Sequence, residues 1–155
     1  MEFRIKESVK ILNRAGGYGL TVMDAHNLIS RQAIRGSEVP FGQTRTRHLF
    51  SRENLLRAAI FLELHNFLPL KMARAATYGG PEDQMIKNGF AFVREIERFK
   101  ENGRMKVFPH MLFGNTPESA VKAFRSSSAG LFINIAEIKN HMDVAIQDFT
   151  ENQNS

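Results

Sequence analysis

Apolar side chains in the first 30 positions return every three or four residues, the period of a helix with one buried stripe. Residues 4–14 place Ile5, Val9 and Leu12 in that rhythm before Gly16-Gly17-Tyr18-Gly19 interrupts it, which predicts a short leading helix or arm over 1–17. The pattern resumes from Leu20 to Ile29 behind Thr21, a capping residue, with Asp24 three places on as in a capping box. Ser30 is a second candidate cap. It predicts a short basic helix from Arg31 to about Gly36, exposing Arg31, Gln32 and Arg35 while Ala33 and Ile34 turn inward.

Beyond Pro40 and Gly42 the period changes. Gln43-Thr44-Arg45-Thr46-Arg47-His48 alternates Thr and Arg, as a ribbon with one cationic face would, and we read it as a wing. Ser51, with Glu53 and Asn54 behind it, opens a helix whose Leu55, Leu56, Ala59, Ile60, Leu62 and Leu64 form a broad apolar stripe. His65 to Pro69 break that helix, Leu70 to Ala76 add a turn or two, and Tyr78-Gly79-Gly80-Pro81 predicts a domain boundary near Gly80.

In the second half Met85, Ile86, Phe90, Phe92, Val93, Ile96 and Phe99 predict a long amphipathic helix over 82–102, stopped by Gly103. These aromatics are expected in a core. Met105 to Phe113 reads as a strand bent at Pro109, and Gly130 to Ile135 as a second strand, both rich in aromatic or β-branched residues. Thr116-Pro117-Glu118 predicts a short helix start, and Ala136 to Phe149 a final helix before the polar tail 151–155. The expected fold is mainly α: an N-terminal winged helix-turn-helix over 18–80, then a long helix and a small α+β module within 81–150.

Charge sharpens this division. Residues 1–80 carry 12 Lys+Arg against 6 Asp+Glu, whereas residues 81–155 carry 9 against 10. A cationic front half points to a polyanion, of which nucleic acid is the leading candidate, although a solvated basic surface would give the same balance. The chain of 155 residues is 43% hydrophobic, enough for a packed core, and has no cysteine, which excludes disulfides and thiolate metal sites and fits a reducing cytoplasm. No apolar run reaches the ~20 residues of a membrane span, so no membrane partner is expected and the chain reads as soluble.

Catalytic and metal chemistry find little support. The histidines at 26, 48, 65, 110 and 141 lack ligand spacing, and Asp24 and Glu63 fall where capping or solvation accounts for them. The glycine run at 16–19 lacks the Lys-Ser/Thr ending of a phosphate loop and reads as a flexible hinge. No enzyme activity and no cofactor are expected.

The segment Arg47-His48-Leu49-Phe50-Ser51-Arg52-Glu53-Asn54-Leu55-Leu56-Arg57 resembles the wing-to-helix pattern of the MerR family of transcription regulators, and His65-Asn66-Phe67-Leu68-Pro69-Leu70 resembles the turn that follows it there. The resemblance spans about residues 18–78. It implies a winged helix-turn-helix regulator that twists or bends promoter DNA, often under an effector, a small molecule or a protein, sensed at the C-terminal end.

A helix fits the major groove of double-stranded DNA, so Arg31, Gln32 and Arg35 are the candidate base readers. Thr44, Arg45, Thr46 and Arg47 on the wing, with Arg52 at the next helix start, are the candidate phosphate contacts. One short helix covers few base pairs, which calls for a homodimer on two half-sites, assembled through the back half. Its strands would either form a small sheet around an effector or make the dimer seam. A recombination accessory protein of the excisionase kind, or an adaptor for an acidic protein partner, are the competing readings.

Overall fold

The computed structural model describes residues 1–42, 45–78, 88–116, 118–119 and 130–153. The fold is mixed α+β, with more residues in helices than in strands, and the strands form two small antiparallel sheets. The chain divides into two compact units, one of residues 1–63 with 138–155 and the other of residues 64–137.

The first unit opens on β1 (Glu2–Arg4), which leads directly into α1 (Ile5–Gly16). The backbone N–H of Arg4 donates to Glu7 Oε2 at 2.7 Å, and the hydroxyl of Ser8 donates back to the Arg4 carbonyl at 2.9 Å, so the strand-to-helix corner is tied on both sides. Val9, Ile11 and Leu12 are buried, close to the stripe expected from the sequence. Gly17 ends the helix at φ 63°, and its N–H reaches the Asn13 carbonyl. A left-handed residue at that point suits glycine, which has no Cβ to clash.

Helix α2 (Val22–Ser30) begins as the sequence predicts: Asp24 N–H donates to Thr21 Oγ1 at 3.1 Å, while Thr21 N–H donates to Asp24 Oδ2 at 2.9 Å. Its end differs. The helix expected at 31–36 does not form; instead the N–H of Gln32 reaches the Ile29 carbonyl and that of Ala33 reaches the Leu28 carbonyl, both at 2.8 Å, with Gln32 at φ 54°. These are the two bonds of a Schellman close, and Gln32 in the left-handed region cannot continue a right-handed helix through 31–36. Ala33 and Ile34 are nevertheless buried and Arg31, Gln32 and Arg35 exposed, as anticipated.

The ribbon expected around 43–48 falls in a hairpin of β2 (Ser37–Phe41) and β3 (Arg45–Ser51), paired antiparallel from Ser37↔Leu49 to Phe41↔Arg45. Strand β1, unforeseen in the sequence, pairs with the far side of β3 through Phe3↔Phe50, giving the order β1-β3-β2. Pro40 thus lies on an edge strand, where its missing N–H costs least. Gln43 and Thr44 lie outside the described residues.

Ser51 then starts α3 (Arg52–His65): its hydroxyl accepts from Asn54 N–H at 3.2 Å, and its own N–H donates to Asn54 Oδ1 at 3.0 Å. From Leu55 to Leu62 this helix is buried all round, Arg57 included, making it the central element of the unit's core rather than a one-sided stripe. The C-terminal segment of the chain completes the unit. Met142 and Ala145 are buried, and the Phe149 ring meets Phe3 edge-on at 6.1 Å.

In the second unit α4 (Leu70–Tyr78) follows Pro69, whose carbonyl accepts from Met72 and Ala73. The boundary expected near Gly80 and the start of the helix expected from 82 lie outside the described residues. The rest of that prediction is overturned: residues 90–101 form a strand, β4 (Phe90–Glu101), paired with β5 (Arg104–Gly114) across a two-residue turn at Asn102 (φ 51°) and Gly103 (φ 76°). Asn-Gly with both residues at positive φ is the favoured hairpin turn, and it outweighs the ambiguous apolar spacing before it. Two residues of β4, at 95 and 96, oppose Pro109 alone, so the expected bend is a bulge facing the one residue that cannot donate to the ladder. Strand β6 (Gly130–Asn134), as predicted, pairs with the other edge of β4, stacking Phe132 on Phe90 at 5.7 Å. Helix α5 (Ile135–Glu151) follows at once, capped by Asn134 Oδ1 accepting from Glu137 N–H at 3.1 Å. Thr116 Oγ1 accepts from Ser119 N–H at 3.2 Å, a cap of the kind the sequence suggests there, while Pro117 lies outside the described residues.

Candidate nucleic-acid interface

The exposed features of the first unit gather on α2, the turn after it, and the hairpin. Of the nine residues of α2 only Ala25 is buried. A helix that short is marginal without help, because nucleation is costly and each terminus leaves several backbone groups unpaired. Here the help comes from its ends. Besides the capping box and the Schellman close, Asn13 of α1 clamps the approach: its Nδ2 donates to the Leu20 carbonyl at 2.8 Å and its Oδ1 accepts from Leu20 N–H at 2.7 Å. The Thr21 hydrogen bonds hold the Asp24 carboxyl below its usual range.

The glycine run is a built turn rather than a flexible hinge. Tyr18 is pinned by its hydroxyl, which donates to Glu63 Oε1 at 3.0 Å, and a Cβ on Gly16 would collide with the Tyr18 ring. Burial, reinforced by the Glu63 charge and hydrogen bond, pushes the Tyr18 phenol well above its ordinary pKa. The result is a rigid α1–turn–α2 unit that presents Met23, Asp24, His26, Asn27 and Ser30 to solvent.

From the sequence α2 reads as the first helix of the unit, with the candidate base readers at 31–36, so no candidate residue falls on it. The spacing of Ile5, Val9 and Leu12 before a glycine stop is the signal that 5–16 is itself a full helix, which makes α2 the second helix of the chain.

Arg31, Gln32 and Arg35 lie at the C-terminal end of α2 and in the following turn. Gln32 and Arg35 border an open groove of about 380 Å³ with Glu38 and His48, over Ile29, Ile34 and Gly36. The pleat of the hairpin separates this groove from the wing arginines. Successive side chains alternate between faces of a strand, so Glu38 and His48 leave one face while Val39, Phe41, Arg45 and Arg47 leave the other. The groups around Arg35 and around Arg47 are therefore separated by the ribbon. On the outer face the Arg47 guanidinium lies 3.9 Å over the Phe41 ring, and Arg45 and Thr46 are exposed.

Arg52, expected to meet phosphate, is engaged within the fold. Its Nε and Nη2 donate to the two oxygens of Asp143 at 2.6 and 2.7 Å, a bidentate pair that raises the Arg52 pKa and lowers that of Asp143. Thr44 lies outside the described residues. Among the described residues no group of three or more His, Asp or Glu could hold a metal ion, and no helix is long and apolar enough to cross a membrane. No protein-family model matches the chain, and no curated protein matches it.

Proposed function

We propose that the first unit is a winged helix-turn-helix DNA reader, MerR-like in plan, in which α1 and α2 are the helix pair, α2 is the recognition helix and β2–β3 is the wing. The observation that carries this reading is α2 itself, fixed at both ends by specific caps yet burying one residue of nine. A helix so held and so bare is a platform for a partner. The major groove admits one helix and offers donors and acceptors that Asn27 and Ser30 can match, while Met23, 68% exposed, offers an apolar contact for a thymine methyl. Asn27 is the strongest candidate for a base edge, since an amide pairs with adenine through two bonds. Arg31 and Gln32 flank that helix at its C-terminal end.

A helix of nine residues spans few base pairs, so the protein acts as a homodimer on paired half-sites and regulates transcription through them. The second unit supplies assembly or effector sensing. Selection of bound duplexes from a random pool, followed by a salt series on the winner, tests this. A recovered motif repeated at about one helical turn, weakened by Asn27→Ala and with a log-linear loss of affinity in salt, is the expected result. Absence of any enriched motif together with salt-independent binding would overturn the proposal.

A further inference from the structure

We infer that the groove between α1 and the C-terminal half of α5 is a small-molecule site for an organic monocarboxylate with a compact apolar body, a single ring or a short acyl chain. The groove lies within the first unit, and this role is independent of the DNA-reading function proposed above. Three observations carry it.

The first is shape. Lys10 and Arg14 of α1 border a half-open groove of about 350 Å³, with Asn152 and Gln153 at its other rim. Phe149, half-buried, is its apolar wall, above the buried Ile11 and Ala145. Ligand clefts run from roughly 300 to 1,000 Å³, so this one suits a small body and excludes a nucleotide or a long acyl chain.

Charge is the second observation. Lys10 and Arg14 stand four residues apart, on the same face of α1, and bring two cations to one wall. Asp148 answers only one of them: Nε and Nη2 of Arg14 both donate to its Oδ2. Lys10 has no hydrogen bond or ion pair among the described residues. Two cations against one carboxylate leave a single positive charge beside an apolar wall, which a monoanion neutralises. A phosphate dianion would be left with one charge unanswered.

The third is order. Arg14 is fixed by Asp148, the Phe149 ring is held edge-on by Phe3 at 6.1 Å, and Asn152 Nδ2 donates to the Asp148 carbonyl at 2.7 Å. The walls are thus set before a ligand arrives, and binding does not have to order them. The N–H groups that Arg14 does not spend on Asp148, together with the Lys10 ammonium, are donors suited to a carboxylate, and charge-assisted bonds of that kind are the strong ones.

The test titrates four probes into the ¹⁵N-labelled full chain and follows backbone amide shifts. Phenylacetate and hexanoate carry the carboxylate on a ring and on a short chain, phenylacetamide keeps the ring without the charge, and phenyl phosphate puts a dianion on it. We expect saturable shifts from at least one acid, centred on residues 10–14 and 145–153, with affinity about tenfold above that of phenylacetamide and above that of phenyl phosphate. Lys10→Gln should weaken the acid about tenfold. Lys6→Gln, which removes the same charge from an exposed position of α1 outside the groove, should leave it nearly unchanged. A melting curve like that of the unaltered protein shows that each variant is folded, and the comparison of probes needs no variant. The inference is overturned if neither acid saturates, if the amide binds as tightly as the acid, if the phosphate binds tighter, or if the shifts centre elsewhere. Equal weakening by Lys6→Gln and Lys10→Gln would reduce the effect to diffuse charge and overturn it too. No readout involves DNA, so failure here leaves the DNA-reading proposal standing.

Discussion

Asp143 in the C-terminal helix receives both donors of the Arg52 fork, joining positions 91 residues apart in sequence. Both side chains are half exposed, which screens the pair, so Asp143→Asn is expected to cost about 0.5–1 kcal/mol, read as a lower melting temperature at neutral pH. The Arg52 hydrogen bonds hold the Asp143 pKa below its unfolded value. A depressed carboxyl contributes stability above its unfolded pKa and loses it as pH falls through the folded one. The gap between the parent protein and Asp143→Asn should therefore close in acid, below about pH 4. A gap unchanged from pH 7 to pH 3 would contradict this account.

Asn13 binds the Leu20 backbone with both ends of its amide. Alanine there leaves a partly buried N–H and carbonyl without their side-chain partner and frees the turn that aims α2. A loss of roughly 1–3 kcal/mol in chemical denaturation is expected. Under the proposed DNA-reading function, a larger loss of duplex affinity than the unfolded fraction explains is also expected, because a misaimed helix binds poorly even when folded. Asn13→Asp, which keeps only the acceptor, should fall between.

Gln32 stands in the left-handed region at φ 54°, where a side chain is strained and glycine is not. Gln32→Gly should raise stability by about 1 kcal/mol in a denaturant titration, because it relieves strain at the Schellman close. Gln32→Val, branched at Cβ, should lower it. Equal stability of the two variants would mean that the turn does not hold this conformation in solution.

The Tyr18 phenol is held protonated by burial and by Glu63, so its pKa is raised in the folded state. A raised pKa contributes stability that is complete below the unfolded value, about 10, and is lost as pH rises above it. Removing the hydroxyl should then matter most near neutrality. Tyr18→Phe is expected to be about 1 kcal/mol less stable at pH 7 and to show a shallower decline above pH 10 than the unaltered protein. Parallel alkaline limbs in the two proteins would rule out Tyr18 as their cause.

Local signals were legible where capping, glycine stops and apolar spacing agreed. Thr21 with Asp24, Ser51 with Asn54, and Gly17 mark helix ends that the structure keeps, because each depends on groups within a few residues. Residues 90–101 were misread for a different reason. Phe90, Val93, Ile96 and Phe99 recur at the three-residue spacing of a helical stripe, and the deciding evidence was the Asn102-Gly103 turn, which the helical reading used merely as a stop. At the candidate site the strand carrying Arg45 and Arg47 was legible from Thr/Arg alternation. The exposed face of α2 was not, since exposure depends on what the rest of the chain leaves uncovered.

What the sequence by itself determined was therefore the set of short-range decisions: where helices begin and end, where the hairpin turns fall, and a basic front half without thiols. Only the tertiary structure decided which residues share a surface. It paired β1 with β3, brought residues 138–153 into one unit with the N-terminus, committed Arg52 to Asp143, and put Arg35 and Arg47 on opposite faces of the ribbon. The physical reason is that caps and turns are made with neighbours a few residues away, whereas pairing, burial and ion pairing depend on distant segments whose positions no local pattern encodes.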